Sequence, residues 1–114
     1  MVEERITIEE YQTEKSKIPY RNWLRSLKDA STRARIRTRI NRLRLGNFGD
    51  AKSVGEGVSE LRLDFGPGYR IYYGRDGDSL VLLLCGSDKK SQNKMIEHAK
   101  KYWTDYNKRK KETT

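Results

Sequence analysis

An α+β fold is predicted by three observations. Apolar residues recur at helical spacing in three stretches, they alternate or run unbroken in short β-rich stretches, and no linker separates the two kinds. The expected order is β-α-α-β-β-β-α. It gives a small antiparallel-dominated sheet, a first strand plus a three-strand meander, with an N-terminal helical hairpin and a C-terminal helix. The 114 residues suffice for one modest core. Residues 1–107 read as a single domain and residues 108–114 as a basic, disordered tail.

Ile6-Thr7-Ile8 followed by Tyr11 is short, β-branched and flanked by charge, a first strand. Pro19 suits a first helical turn, where its missing N–H costs nothing. Tyr20, Trp23, Leu24 and Leu27 then form one apolar stripe. Asp29 and Ser31 are capping-type residues ahead of Ile36, Ile40 and Leu43, and Gly46 supplies the stop of a second helix. The Gly, Asn, Asp and Ser content of residues 46–57 reads as loop. Leu61, Leu63 and Phe65 alternate with Glu60, Arg62 and Asp64, a strand with one face buried. Gly66-Pro67-Gly68 turns the chain, and Tyr69, Ile71 and Tyr73 alternating with Arg70 and Tyr72 complete a hairpin. Gly77-Asp78 turns it again, into the apolar run Leu80 to Cys85, which suits a strand covered on both faces. Met95, Ile96, Ala99, Tyr102, Trp103 and Tyr106 mark a third helix before Lys108-Arg109-Lys110-Lys111.

Lys and Arg outnumber Asp and Glu by 25 to 16, a net charge of +9, and the excess is localised. Residues 20–45 carry nine cations against Asp29 alone, and residues 86–111 carry nine against Asp88, Glu97 and Asp105. Fields of this kind favour polyanions, and phosphate neutralisation releases counterions, so nucleic acid or the ribosome is the first partner to consider. An acidic protein fits the same field, and a solvated cationic face is the plain alternative. Cys85 is the single cysteine and sits in the apolar run, so packing is its expected role and no intrachain disulfide can form. Met1-Val2-Glu3-Glu4-Arg5 lacks the order of a signal peptide, and no apolar stretch approaches the roughly 20 residues of a membrane span. The expectation is a cytoplasmic protein without a membrane association.

The catalytic vocabulary is thin: one His, no metal-ligand spacing, no nucleophile triad and no phosphate-binding Gly-rich loop, so neither metal nor cofactor is expected. What remains is cationic. Arg62 and Arg70 lie on facing strands, with Lys89 and Lys90 where the last strand ends. RNA can be cut without metal when its 2′-hydroxyl attacks the neighbouring phosphate, a base takes the proton, cations stabilise the crowded phosphate and an acid protects the leaving oxygen. Arginine suits the middle role through its planar fork, and a lysine crowded by like charge gives up its proton more readily and can stand in for a His. The ordinary alternative is that Arg62 pairs with Glu60 or Asp64 on a solvent face and the lysines are loop charge. Tyr72 shares a face with Arg70 and is a candidate for stacking on bases, though strand aromatics commonly serve a core. Arg35, Arg39 and Arg42 stand among six arginines that flank the second helix's apolar stripe on both sides, and arginine rather than lysine favours phosphate contact. His98 lies mid-helix and reads as a surface or packing residue.

Taken together, Val58-Ser59-Glu60-Leu61-Arg62, Gly68-Tyr69-Arg70-Ile71-Tyr72-Tyr73, the Leu-rich strand and Gly86-Ser87-Asp88-Lys89-Lys90-Ser91-Gln92, followed by a helix with Ala99, resemble the RelE/ParE-like toxins. The resemblance is specifically to the HigB-type addiction module killer branch and covers roughly residues 5–106. The resemblance implies a sheet carrying a helical hairpin and cleavage of messenger RNA on the translating ribosome. It also implies neutralisation by an antitoxin, in this branch a helix-turn-helix protein. Arg62 and Arg70 match positions that such toxins use to hold the phosphate, whereas Lys89 and Lys90 stand where relatives place a His or Tyr as acid or base. The ParE-like relatives share the fold but inhibit DNA gyrase and are not nucleases, so a non-enzymatic toxin is the alternative.

Overall fold

Eight elements are laid out in the computed structural model, which describes residues 5–113. The reading of the N-terminal start falls on residues 1–4, outside the described residues. In chain order the elements are β1 (Thr7–Glu10), α1 (Pro19–Ser26), α2 (Ala30–Arg44), β2 (Ala51–Gly55), β3 (Val58–Leu63), β4 (Tyr69–Asp76), β5 (Leu80–Ser87) and α3 (Gln92–Glu112). The sheet order is β1-β5-β4-β3-β2, with β1 parallel to β5 and every other pairing antiparallel. The fold is therefore α+β with three helices around a five-stranded mixed sheet.

Local chemistry accounts for the helix ends. Pro19 occupies the first turn of α1. Asp29 caps α2, its carboxylate accepting from the backbone N–H groups of Ser31 and Thr32 at 3.3 Å and from the Thr32 hydroxyl at 2.8 Å. The far end of α2 closes in a Schellman turn: Gly46 N–H reaches the Leu43 carbonyl and Asn47 N–H the Arg42 carbonyl, both at 2.9 Å. Ahead of α3, Asp88 accepts from Ser91 N–H at 2.8 Å and from the Ser91 hydroxyl at 3.0 Å.

Two expectations need correction. Residues 51–55, read as loop, form the edge strand β2, joined to β3 by a two-residue turn in which Glu56 and Gly57 both have positive φ (56° and 82°). That geometry belongs to the hairpin turn that matches strand twist. A register shift between Ser53 and Gly55 breaks the alternation that would have marked the strand in the sequence. The second correction concerns the basic C-terminus. Lys108 to Glu112 continue α3, which Arg109 ties to the Gln12 carbonyl and Lys110 to Asp76.

Strand β5 has almost every residue buried, and the sheet separates two cores. On one face Ile36, Ile40 and Leu43 of α2 and Tyr20 and Leu24 of α1 pack on Leu61, Ile71, Tyr73, Val81 and Leu83. On the other, α3 lays Ala99, Tyr102 and Trp103 over Val58, Tyr72, Leu82, Leu84 and Cys85. An irregularity between Tyr72 and Tyr73 leaves Leu84 as an extra residue of β5, which puts Leu84 and Cys85 both in the α3 core. Each face also has a tryptophan seated directly on strand backbone. Trp23 of α1 lies against Gly86 and Trp103 of α3 against Gly74, so closely that a Cβ at either glycine would fall inside the indole. Gly86→Ala is therefore an overpacking substitution and should cost about 1–3 kcal/mol, read as a lowered denaturation midpoint in urea. An unshifted midpoint would mean that Trp23 yields without cost.

Polar anchors hold the C-terminal half of α3. The Tyr11 hydroxyl donates to Asp105 at 2.5 Å and Arg109 reaches the same carboxylate at 2.7 Å. The Tyr106 hydroxyl and the Lys110 ammonium both reach Asp76 at 2.7 Å. Hydrogen bonds from Lys110 and Tyr106 hold Asp76 below the usual carboxylate range, and the bond from Tyr11 does the same for Asp105. Burial, reinforced by the adjacent carboxylate, pushes the phenols of Tyr11 and Tyr106 up to about 12. The depressed carboxyls contribute stability above the unfolded value of about 3.9, and lose it as pH falls through their folded values. The raised phenols contribute fully below about 10 and lose their contribution as pH climbs towards 12. Thermal unfolding should accordingly show a plateau that falls away on both sides, and Asp76→Asn together with Asp105→Asn should lessen the acid fall. An acid limb unchanged in that double variant would show that these anchors do not fasten α3.

Candidate nucleic-acid interface

Pairing of β3 with β4 sets Arg62 directly opposite Arg70, and β4 pairing sets Arg70 opposite Ser87. Alternation along the strands puts Glu60, Arg62, Arg70, Tyr72 and Ser87 on the face that α3 covers. α3 begins only at Gln92, so the two arginines emerge beyond its start while Glu60 and Tyr72 lie beneath it.

The two arginines have different surroundings. Arg62 is partly exposed and binds Asp50, with Nη2 and Nε at 2.8 and 3.2 Å from one carboxylate oxygen. Its partner is thus the loop carboxylate before β2, not Glu60 or Asp64. Arg70 is only 12 % exposed; one guanidinium N–H donates to the Gly68 carbonyl at 2.5 Å, and its Nε lies 3.8 Å from Glu60. Glu60 is wholly buried and accepts a 2.9 Å hydrogen bond from the Gln92 side chain at the start of α3. Glu60 Oε1 and Arg70 Nε are buried without a hydrogen-bond partner.

Arg62, Arg70 and Lys89 line one pocket of about 570 Å³, floored by the Gly66-Pro67-Gly68 turn and bordered by Asp50 and Asp64. The Lys89 backbone N–H holds that turn through the Pro67 carbonyl at 3.3 Å. Arg62, Asp50 and Asp64 also border a second groove of about 580 Å³, whose opposite wall is Arg35, Arg39 and Arg42 of α2. Six of the eight side chains singled out in the sequence thus share one continuous cationic surface. Arg35 lies over the Phe65 ring at 3.8 Å. Arg39 is partly structural: it donates to the Phe48 carbonyl at 2.9 Å, and burial, with Arg42 beside it, lowers its pKa.

The remaining two candidates stand apart. Lys90 is exposed but lines neither pocket. Tyr72 is wholly buried under α3, its hydroxyl 3.0 Å from Ser87, and burial pushes its pKa up. No base can stack on a ring covered in this way, so the stacking assignment is withdrawn. His98 sits on α3 with its ring 6.2 Å from Tyr102, outside both pockets. Among the described residues, no group of His, Cys, Asp and Glu converges that could hold a metal ion, and no helix is long and apolar enough to cross a membrane.

Asp50, Glu60 and Gln92 are site residues that the sequence did not single out. Glu60 is the most consequential of them, because strand alternation places it on the face of Arg70 and α3 then covers it. Arg62→Ala should leave the urea midpoint of unfolding close to wild type, since it removes a solvent-screened pair. Arg70→Ala strands a buried carboxylate and should cost about 3 kcal/mol or more. Equal midpoints for the two variants would remove Arg70 from any structural role.

The family model described as Phage derived protein Gp49-like (DUF891) matches residues 22–104. A protein of Haemophilus influenzae strain Rd, described as uncharacterized, is 49% identical over 86 residues, which is 75% of this chain and 87% of that protein. With most of the chain matched and the two arginines, the turn and the start of α3 inside the matched segment, the chain belongs to the phage-derived Gp49-like family (DUF891), a RelE-type toxin-like family.

Proposed function

We propose that this chain is the toxin of a type II toxin–antitoxin pair, of the HigB type, and that it restrains growth by metal-independent cleavage of messenger RNA on the ribosome. The observation that carries the reading is the convergence of Arg62, Arg70 and Lys89 on one pocket that continues into the α2 arginine groove. RNA laid along the groove meets Arg35, Arg39 and Arg42 with its phosphates, and the scissile phosphate reaches Arg62 and Arg70. Two guanidinium groups stabilise the charge that builds on the phosphate as the 2′-hydroxyl attacks, and they do so preorganised, Arg70 by Gly68 and Glu60, Arg62 by Asp50. Phosphate displaces Asp50 from Arg62, an exchange of one exposed pair for another. Lys89 is assigned proton transfer, and Lys90, outside the pocket, a supporting charge. On this reading the chain works in the cytoplasm and is silenced by a helix-turn-helix antitoxin.

A second reading, a non-nucleolytic inhibitor of DNA gyrase, draws on one observation. Both arginines already have protein acceptors, so the cationic surface is complete as a docking face without any chemistry. Induction in bacteria, with transcript 5′ ends and gyrase-dependent DNA breaks mapped within minutes, separates the two. New 5′ ends inside translated frames are expected. Arg62→Ala and Lys89→Ala should each lower the cleavage rate by roughly 10²–10³ while remaining folded, with Arg70→Lys in place of Arg70→Ala to spare Glu60. Intact messages with broken DNA, or full cleavage by Arg62→Ala, would overturn the nuclease reading.

A further inference from the structure

Phosphate contacts alone do not account for the groove beside α2. Its helix wall is Arg35, Thr38, Arg39 and Arg42, spaced i, i+3, i+4 and i+7, while Arg37 and Arg44 line a separate groove between α1, α2 and β1. The opposite wall is only partly cationic, for Asp50, Leu63, Asp64 and Phe65 stand there beside Arg62. Asp50, Arg62, Leu63 and Asp64 also line the pocket of Arg70 and Lys89, so they are the wall common to both.

The two carboxylates of that wall differ. Asp50 is taken up by Arg62 at 2.8 Å. Asp64 is exposed and has neither an ion-pair nor a side-chain hydrogen-bond partner among the described residues, although Arg62 and Lys89 border the same pocket. An open carboxylate repels phosphate, so a surface that gathered phosphates and nothing else would be weakened by it. Next to Asp64 is stacking surface: the exposed Arg35 carries its guanidinium 3.8 Å above the half-buried Phe65 ring.

Unpaired RNA bases stack on guanidinium planes and aromatic rings and are read by hydrogen bonds to their pairing edge. A carboxylate only accepts, through two oxygens side by side. Guanine is the RNA base whose pairing edge offers two adjacent donors, the ring N–H and the exocyclic amine. In adenine and cytosine a ring-nitrogen acceptor stands beside the amine, and in uracil two carbonyls flank a single N–H, so each of these opposes a carboxylate with a lone pair.

We propose that the wall shared by the two pockets is a nucleobase subsite selective for guanine, in which the base stacks on the Arg35 and Phe65 pair and Asp64 accepts from its ring N–H and amine. The proposal deepens the RNA reading of this surface and rests on it for the substrate class. It puts an unpaired guanosine next to the phosphate held by Arg62 and Arg70. Arg35 gives its plane to the base and keeps its N–H edge for a neighbouring phosphate.

The test is equilibrium binding of the full chain to 2′-O-methyl oligouridines, which cannot be cleaved, with guanine, adenine, cytosine or hypoxanthine at one central position. Guanine should be bound about tenfold or more tightly than adenine, cytosine or uracil, with hypoxanthine, which lacks the amine, in between. Asp64→Asn should level the series and tighten plain oligouridine, because a negative charge leaves the surface, with the urea midpoint unchanged. Arg35→Lys, which keeps the charge and loses the plane, should weaken guanine binding several-fold. Binding without regard to base, failure to bind any of the oligonucleotides, a guanine preference that survives Asp64→Asn, or guanine affinity unchanged in Arg35→Lys would each overturn the proposal. Asp64-dependent guanine binding by a chain whose induction leaves messages intact sinks the nuclease reading and keeps the subsite. New 5′ ends inside translated frames, from a chain that binds all bases alike, do the reverse.

Discussion

The constraint on which this molecule depends is the two-sided burial of β5. A strand whose residues are apolar almost without interruption has no face to offer water, so one sheet must be covered twice. The helical hairpin covers one side and α3 the other, and sheet order follows, with β5 inside between β1 and β4. Covering the second side is what shapes the candidate site. α3 starts at Gln92, just past the end of β5, and its first turn marks the line between strand residues that are roofed and strand residues that reach solvent. Glu60 and Tyr72 fall inside that line and Arg62 falls outside, while Arg70 straddles it.

That boundary explains why two arginines at facing register positions are not equivalent. Arg62 is in a high-dielectric setting, where pairing with Asp50 contributes little and is easily exchanged. Arg70 is anchored to a carboxylate that has no water, and the pair leaves two polar atoms without partners. An apolar replacement of the pair would suit the core better than the native residues do. In the proposed function, the cost of this ionic contact is offset by the phosphate that Arg70 would meet at the edge of the cationic pocket.

Much of this architecture is legible in the residues. Pro19, Asp29 and Gly46 mark helix limits by chemistry that acts within a turn, and the run from Leu80 to Cys85 announces a strand with no wet face. The edge strand β2 escapes because Ala51 to Gly55 is polar, short and irregular in register, so neither composition nor alternation identifies it. Tyr72 and Glu60 escape for a different reason. Alternation tells which residues share a face but not whether that face is covered, and coverage depends on where α3 comes to lie. For the site, Arg62, Arg70 and Lys89 are foreseeable from the turn between their strands and the end of β5, and the α2 arginines are foreseeable as cationic. Their division between two grooves is not, because it rests on how the helix is rotated on the sheet.

The two tryptophans, each seated on a strand glycine, lie on opposite sides of the sheet. Tryptophan fluorescence consequently has two sources with separate addresses: Trp23 senses whether the helical hairpin is in place, and Trp103 senses α3. Replacing one indole at a time turns the native chain into a two-channel optical probe of its own layers, able to register a ligand that disturbs one covering and spares the other. That separation follows from the absence of a side chain at Gly74 and Gly86.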